Sequence, residues 1–342
     1  MMLANTSQLL LRNLNDLSGR VLLAEPPADQ LAAQLAAQAP LLQFTCYTTD
    51  QATASLWQNH NCYFGVQPQF DNSFDCIVLF YPKSKEQLAF TLHQLKTVLT
   101  DSTAVFVVGD NKGGIKSLSA HARKLGLQAN KLDNAKHSLW FSLHGDFGKL
   151  AASTTASSTA LSFNVVINDI SLTLCSLPGV FNHGKLDTGT ALLLNHLQHI
   201  TAGNVLDFAC GCGVIGAFLK KRTPAIQLFS SDISALAVSA TEQTLAANNL
   251  EGTVIAADGL PDNVPVFDHI VSNPPFHTGI KTDYSISQQF ISQSVSRLKP
   301  GGSLTLVANN HLAYQELLTA AFGKTDILAR KDGFIVYHSV KR

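Results

Sequence analysis

Val205-Leu-Asp-Phe-Ala-Cys-Gly-Cys-Gly-Val-Ile-Gly216 reads as a strand, a glycine turn and the start of a helix. The glycines let the backbone turn sharply and approach a ligand closely. The spacing is formally G-x-G-x-x-G, which alone also fits a dinucleotide site and is weak evidence by itself. Asp207, four residues before the first glycine, sharpens it. A carboxylate there attracts the ammonium of an amino-acid-bearing ligand and is awkward beside a pyrophosphate. The next strand ends in Ser231-Asp-Ile233, placing Asp232 where ribose hydroxyls are gripped. The third ends in Ala257-Asp258-Gly259, whose carboxylate can accept from an adenine N6 amine. The bland reading of these carboxylates is a helix cap or turn.

Working outward, strand and helix patterns alternate. A hairpin over Asn164–Leu174 turns at Asn168-Asp169, two residues that tolerate positive φ. Helices are predicted over Thr188–His199, Val214–Arg222, Ala235–Asn248, Ser285–Leu298 and Tyr314–Phe322. Strands are predicted over Val205–Phe208, Ile226–Ser231, Thr253–Ala257, His269–Ser272 and Leu304–Ala308. A closing pair of strands surrounds Lys331-Asp-Gly333. Such alternation means a parallel sheet with helices on both faces, here with an antiparallel edge.

The stretch Phe267-Asp-His-Ile-Val-Ser-Asn-Pro-Pro-Phe-His277 puts Asn273, Pro274, Pro275 and Phe276 at the carboxyl end of a strand, where open α/β sheets bind ligands. The prolines carry no N–H and cannot continue the strand. An Asn amide oxygen and the next carbonyl make two acceptors for a planar NH2, and the Phe ring can lie against the base that carries it.

The first half of the chain rhymes with the second. Phe74-Asp-Cys-Ile-Val-Leu-Phe-Tyr-Pro82 parallels Phe267–Pro275, and Leu99–Asn111 parallels Leu298–Asn310. The simplest account is one fold used twice. The small polar stretch 151–162 reads as the linker between a domain over 1–150 and one over 163–342. The first copy has Phe80 in place of Asn273 and Lys83 in place of Phe276. Its Val21–Ala28 has no glycine and carries Glu25-Pro-Pro27, so the fold is kept and the site is lost.

Bulk properties bound the rest. With 342 residues, 46% hydrophobic and 14% charged, the chain can bury two cores. Zero formal net charge gives no global argument for a nucleic-acid partner. The segment 111–150, however, carries seven basic residues (Lys112, Lys116, Arg123, Lys124, Lys131, Lys136 and Lys149) against Asp133 and Asp146. It is either a phosphate-contacting surface or a solvated helix face. No apolar run is long enough for a membrane span and no secretory signal is read, so cytoplasm is expected. The six scattered cysteines do not suggest a disulfide framework, and Cys210-Gly-Cys212 lacks a second ligand pair for zinc. No metal is expected.

Asp207-x-x-x-Gly-x-Gly, Asp232, Asp258 and Asn-Pro-Pro-Phe together resemble the class I S-adenosylmethionine-dependent methyltransferases that modify amine or amide nitrogens. The doubled domain, its degenerate first copy and Pro178-Gly-Val-Phe-Asn-His-Gly-Lys-Leu-Asp-Thr-Gly-Thr190 narrow this to the family of ribosomal RNA small subunit methyltransferase C. The resemblance spans essentially the whole chain and is most specific over 178–310. It implies two tandem Rossmann-like domains, each a mostly parallel seven-stranded sheet with an antiparallel edge strand. It implies S-adenosylmethionine as cofactor, held by Asp207, Phe208, Ala209, Cys210, Gly211, Gly213, Asp232, Ile233, Asp258, Gly259 and Asn273. It implies catalysis at Asn273, Pro274, Pro275 and Phe276, with Phe181, Lys185, Asp187 and Thr190 lining the methionine end of the cofactor pocket and the substrate mouth; His277, directly after the motif, is either a substrate contact to RNA or a solvent-facing loop residue. The bland reading of the 181–190 residues is a loop and helix cap. Guanine N2 in 16S rRNA is the implied target, in the small ribosomal subunit or an assembly intermediate, and a monomer is expected. The residues themselves show only a planar NH2 site. Adenine N6 and glutamine amide acceptors stay open on that ground, whereas an NAD-dependent dehydrogenase has no use for Asn-Pro-Pro-Phe. A nonenzymatic RNA-binding protein would need a broken cofactor site.

Overall fold

The computed structural model describes residues 2–70, 73–82, 84–150, 160–275 and 282–342. The chain divides into two compact units, Met1–Thr159 and Ala160–Arg342. In the first unit the strands are β1 (Arg20–Ala24), β2 (Gln43–Thr48), β3 (Cys62–Phe64), β4 (Cys76–Phe80), β5 (Ala104–Asp110), β6 (Leu127–Ala135) and β7 (Ser138–Gly145). The second begins with a hairpin, β8 (Leu161–Ile167) and β9 (Ile170–Ser176), and continues with β10 (Gly203–Phe208), β11 (Ile226–Asp232), β12 (Thr253–Ala256), β13 (Phe267–Ser272), β14 (Leu298–Asn309), β15 (Asp326–Lys331) and β16 (Phe334–Val340).

The two sheets share one order. The first runs β3-β2-β1-β4-β5-β7-β6 and the second β12-β11-β10-β13-β14-β16-β15. In each, five strands are parallel and the last two pair antiparallel. The expected doubling of one fold is therefore present down to strand order.

Strand periodicity explains why helices cover both faces. Along β10 and β13, Val205 and Val271 join one buried cluster with Leu193, Phe218 and Leu245. Their neighbours Leu206 and Ile270 join the opposite cluster with Phe290, Leu318 and Phe322. The same split occurs in the first unit, with Leu22 and Ile77 facing Leu88 and Leu118. Val21 and Val78 face Leu10 and Leu31 on the other side. Successive strand side chains point to opposite faces, so each apolar strand feeds two cores.

One local device is repeated residue for residue. Gly19, just before β1, and Gly203, the first residue of β10, have φ of 60° and 90°. A Cβ at Gly19 would fall 2.2 Å from the Asp75 carboxylate, and one at Gly203 would fall 2.6 Å from that of Asp268. The space is taken because Asp75 accepts from the Arg20 N–H at 2.7 Å and Asp268 accepts from the Asn204 N–H at 2.7 Å. The Phe-Asp dipeptide that opens the fourth strand thus pins the start of the first in both units.

Among the boundaries that differ from the sequence reading, three are informative. The helix expected over Thr188–His199 stops at Leu194. Tight turns follow (His196 N–H to Leu193 O, 2.9 Å; Ile200 N–H to Leu197 O, 3.1 Å) and keep Leu197 and Ile200 in the core, a spacing that mimics helix continuation. Strand β14 starts at Leu298 and not Leu304, passing through Pro300-Gly301-Gly302 with a register shift against Phe267 and His269. Strand β8 begins at Leu161, inside the stretch read as linker. The remainder of that stretch, 151–159, lies outside the described residues. No helix of the described residues is long and apolar enough to cross a membrane.

His199, His269 and His338 cluster in the second unit, with ring centroids 4.6 Å (His199–His338) and 5.8 Å (His199–His269) apart. Thr305 and Ser303 hydroxyls meet them at 2.8–3.3 Å. Burial pushes His199 down to about 4, and the neighbouring imidazoles and Arg222 add to the effect. His269 and His338 are lowered as well, first by burial. A His depressed in the fold contributes stability that is complete above its ordinary value near 6.5 and is lost as pH falls toward the folded value. Glu25 and Asp207, both raised to about 7 by burial, carry the opposite sign. The expected outcome is a Tm that falls less steeply between pH 7 and pH 5 in His199→Gln than in the unsubstituted chain; identical slopes would remove the cluster from the acid response.

Candidate active site

The strand order reverses between β10 and β13, so their carboxyl ends border the topological switch point where open α/β sheets bind ligands. After β10 the backbone leaves the sheet through three positive φ angles: Ala209 at 56°, Gly211 at 57° and Gly213 at 76°. Gly213 is confined, since a Cβ would meet Thr241 Cγ2 at 2.7 Å. Gly211 is the reverse case. A Cβ there would meet nothing within 4 Å, so the turn presents bare backbone to open space. Ala209 holds the left-handed conformation without being glycine, a strain that needs a supporting structure.

That support comes from the residues around it. Asp207 is fully buried, and its Oδ2 accepts from the Gly216 N–H at 2.9 Å, in the first turn of the helix Val214–Arg222. The sequence placed Asp207 against a ligand ammonium; the structure turns it inward, where it braces the glycine turn. Its Oδ1 is buried with no hydrogen-bond partner. Burial raises the carboxyl to about 7, offset in part by the Gly216 N–H and reinforced by Asp232. Thr241, in the helix Ala235–Ala247, donates to Gly211 O at 3.1 Å and to Cys210 Sγ at 3.2 Å. Nothing in the local sequence of that helix marked Thr241 as part of the turn.

Asp232, at the end of β11, accepts from the Gly211 N–H and the Ser234 N–H, each at 3.0 Å. It thereby ties the end of one strand to the loop of its neighbour. Ile233 beside it is 36% exposed. Asp258, beyond β12, is exposed, and Gly259 follows with φ 90°. Asp207, Phe208, Ala209, Cys210, Gly211, Gly213, Asp232, Ile233, Asp258 and Gly259 thus lie at or beyond the carboxyl ends of three adjacent parallel strands. Phe208 stacks on Phe290 with centroids 4.4 Å apart, a pairing absent from the sequence reading.

Strand β13 ends at Ser272, whose Oγ donates to Phe208 O at 2.8 Å and fastens the two strand ends together. Asn273 follows. Its Nδ2 donates to Asp187 Oδ2 at 3.0 Å and to Thr190 Oγ1 at 2.8 Å. Asp187 also caps the helix Thr188–Leu194, accepting from the Thr190 N–H at 2.9 Å. The cap expected of Asp187 is present, and it carries Asn273 as well. Pro274 is buried and Pro275 exposed. Phe181, 64% exposed, and Lys185, exposed, lie in the loop before that helix, with no recorded tie to Asn273. Phe276 and His277 lie outside the described residues.

Cys210 is buried and its thiol is held well above its ordinary value by burial; Cys212 is pushed up to about 11 by the same cause. Both are free thiols. Among the described residues no group of three or more His, Cys, Asp or Glu could hold a metal.

The first unit shows what loss of such a site looks like. Glu25 follows β1 with φ 58°, as Ala209 follows β10 with φ 56°. Its carboxylate accepts from the Thr49 N–H at 3.0 Å, Thr49 Oγ1 at 2.9 Å and Thr48 Oγ1 at 3.4 Å. Leu23 stands where the second unit has Asp207, and Phe80, buried, stands where it has Asn273.

Comparison with known proteins agrees with this division. The family model described as methyltransferase small domain matches residues 171–338, and methyltransferase small domain N-terminal matches 7–157. Ribosomal RNA small subunit methyltransferase C of Pseudoalteromonas translucida is 37% identical over 348 residues, covering 98% of this chain and 99% of that protein. The protein of the same name from Pseudomonas entomophila is 40% identical, covering 98% of each. The solved T. thermophilus 16S rRNA N2 G1207 methyltransferase, in complex with AdoMet and guanosine, superposes with a TM-score of 0.85 over 99% of this chain and 92% of its own. At 22% identity that likeness speaks to the fold. The near-complete coverage at 37–40% identity settles the lineage: this chain belongs to the ribosomal RNA small subunit methyltransferase C family.

Proposed function

We propose that this chain transfers the methyl group of S-adenosylmethionine to the exocyclic N2 amine of a guanosine in 16S rRNA of the small ribosomal subunit, in the cytoplasm. The carrying observation is the joining of the two strand ends by Ser272 Oγ and Phe208 O, which sets Asn273 beside the open glycine turn. The turn fits the cofactor. Gly211 leaves free space against bare backbone, and Asp232 and the exposed Ile233 flank it. When bound, S-adenosylmethionine supplies an electrophilic methyl on a positive sulfur. The rest is positioning by the protein's own groups.

Guanine N2 is a poor nucleophile because its lone pair is shared with the ring. Asn273 Oδ1 and the Pro274 carbonyl accept its two hydrogens, which holds the nitrogen in place and favours pyramidalisation. No strong base is required: the N–C bond would form as the methyl–sulfur bond breaks, and the cationic alkylated amine would then give its extra proton to solvent. The base must leave any helix to enter the site. The relatives' name supports small-subunit rRNA as the substrate class, and the solved relative, a 16S rRNA N2 G1207 methyltransferase, supports guanine N2.

The basic segment contributes to RNA binding, and the structure divides it. Lys112 and Lys116 follow β5 and Lys136 sits in the β6–β7 turn, all exposed and at one end of the sheet, where the Asn111 N–H donates to His137 O at 2.8 Å. Arg123 and Lys124 are exposed at the other end, where the helix Leu118–Lys124 finishes. Lys149 is engaged with Asp146 at 2.8 Å. We assign phosphate contact to the Lys112, Lys116 and Lys136 group.

Three outcomes test the proposal. Incubated with labelled S-adenosylmethionine and unmethylated small subunits, the protein places the label on one guanine N2; label on adenine or on protein would overturn the substrate. Asn273→Ala lowers kcat by about 100-fold or more while leaving cofactor affinity within about twofold, the scale for losing an oriented polar partner of the reacting centre. Activity kept within about tenfold would refute its role. Exchanging Lys112, Lys116 and Lys136 for Gln reduces the salt dependence of RNA binding by about two to three in log–log slope, whereas an unaltered slope would take the group out of the interface.

A further inference from the structure

We infer that Asp187 and Thr190 are positioning residues that determine which atom of the Asn273 amide faces the methyl acceptor. The inference rests on the reading of Asn273 given above. An amide side chain has two nearly equivalent orientations, and its neighbours decide between them. Here the choice is forced. A carboxylate oxygen has no hydrogen to give, so Asp187 Oδ2, at 3.0 Å, can face only the Asn273 nitrogen. The second hydrogen of that nitrogen goes to Thr190 Oγ1 at 2.8 Å. Thr190 is oriented to receive it, because its own hydroxyl points to the same Asp187 Oδ2 at 3.3 Å. Both hydrogens of Asn273 are therefore committed inside the protein, and Oδ1 is the group left for a ligand.

The reversed amide would set Oδ1 against Asp187 Oδ2, two oxygens without a hydrogen between them. It would also present an NH2 to the NH2 of the acceptor base, donor against donor. The tie thus converts a side chain of either polarity into a fixed acceptor.

The clamp is itself immobile. Asp187 Oδ2 takes the Thr190 N–H at 2.9 Å as the helix cap, and the Asp187 carbonyl takes the Ala191 N–H at 2.8 Å. Thr190 is 5% exposed. Gly189 admits no side chain, since a Cβ would meet Phe334 of β16 at 2.9 Å and Asp187 Oδ2 at 3.1 Å. The helix end therefore seats directly on the sheet, and Asp187 has one place to be. The family resemblance groups Asp187 and Thr190 with the cofactor pocket and substrate mouth; their hydrogen bonds to Asn273 give them a different task.

The test is Asp187→Asn, which keeps an equally good helix cap and so spares the fold. It removes the charge that forbids the reversed amide. The expected result is a kcat lower by about 10- to 100-fold, the usual cost of losing a partner that orients a reacting group. Cofactor Kd, measured by calorimetry, and Tm stay close to those of the parent protein. Thr190→Val lowers kcat in the same direction, and Thr190→Ser recovers most of the loss. In an Asn273→Ala background, Asp187→Asn changes kcat by less than about twofold, since the group it orients is gone. Independently of turnover, asparagine-selective 15N spectra of the folded protein show the Asn273 side-chain amide shifted on Asp187→Asn. An Asp187→Asn protein with full kcat, an equal loss in the Asn273→Ala background, an unmoved Asn273 amide, or a loss confined to cofactor Kd would each overturn the assignment. If Asn273→Ala alone retains activity, the catalytic reading of Asn273 fails first, which separates that failure from this one. Should Asp187→Asn lose its fold, the Thr190→Val and Thr190→Ser pair decides by the same readouts.

Discussion

The structure of the reacting unit depends on one buried carboxylate. Asp207 sits at the end of the central strand with no exposure, and it holds the first turn of the next helix through the Gly216 N–H. Burying a carboxylate is costly unless its oxygens are satisfied, and here one of them is not. The cost is offset because the bond fixes a turn with three left-handed residues in a row of five. With that turn fixed, Gly211 can leave its backbone bare, Asp232 can reach across to it, and the β10 end has a defined height against which Ser272 fastens β13. Without it, the strained Ala209 would have little reason to stay where it is.

The doubled fold separates what the scaffold needs from what the reaction needs. Both units keep the strand order, the alternation of apolar faces and a left-handed residue directly after the first strand. In one unit that residue is followed by an open glycine turn. In the other, Glu25 folds its carboxylate onto Thr48 and Thr49, across the ends of the first two strands. The first unit thus spends this strand end on internal hydrogen bonds, and it lacks the Asn and the glycines as well.

Much of this was legible in the sequence because the signals are local. Strands such as Ile226–Asp232 and helices such as Val214–Arg222 declare themselves by apolar run and glycine punctuation. The repeated Phe-Asp stretches align the two halves, and Asn273-Pro-Pro275, found in only one of them, marks the strand end expected to carry the site. What escaped was whatever depends on contact across the sequence. The tie between Asn273 and Asp187 spans 86 residues, and Thr241 reaches Gly211 across 30. The inward turn of Asp207 escaped for a related reason: residue type and spacing place a carboxylate at a strand end, but its direction is set by the helix that packs above it. The helix end at Leu194 was missed because Leu197 and Ile200 stay buried in turns that keep a helical spacing.

The pin formed by Gly19 with Asp75 and by Gly203 with Asp268 carries a further consequence. It lies at the amino ends of the central strands, away from the candidate site at their carboxyl ends, and recurs in the copy that lacks the Asn and the glycines. It is therefore a signature of descent and foldability, independent of activity. In both halves of this chain, a Phe-Asp strand opening paired with a glycine about 55 to 65 residues upstream accompanies a domain of this architecture. Whether Asn-Pro-Pro follows at the far end of the same strand then sorts the domains into workers and platforms, so one short strand reports ancestry at its first residues and employment at its last.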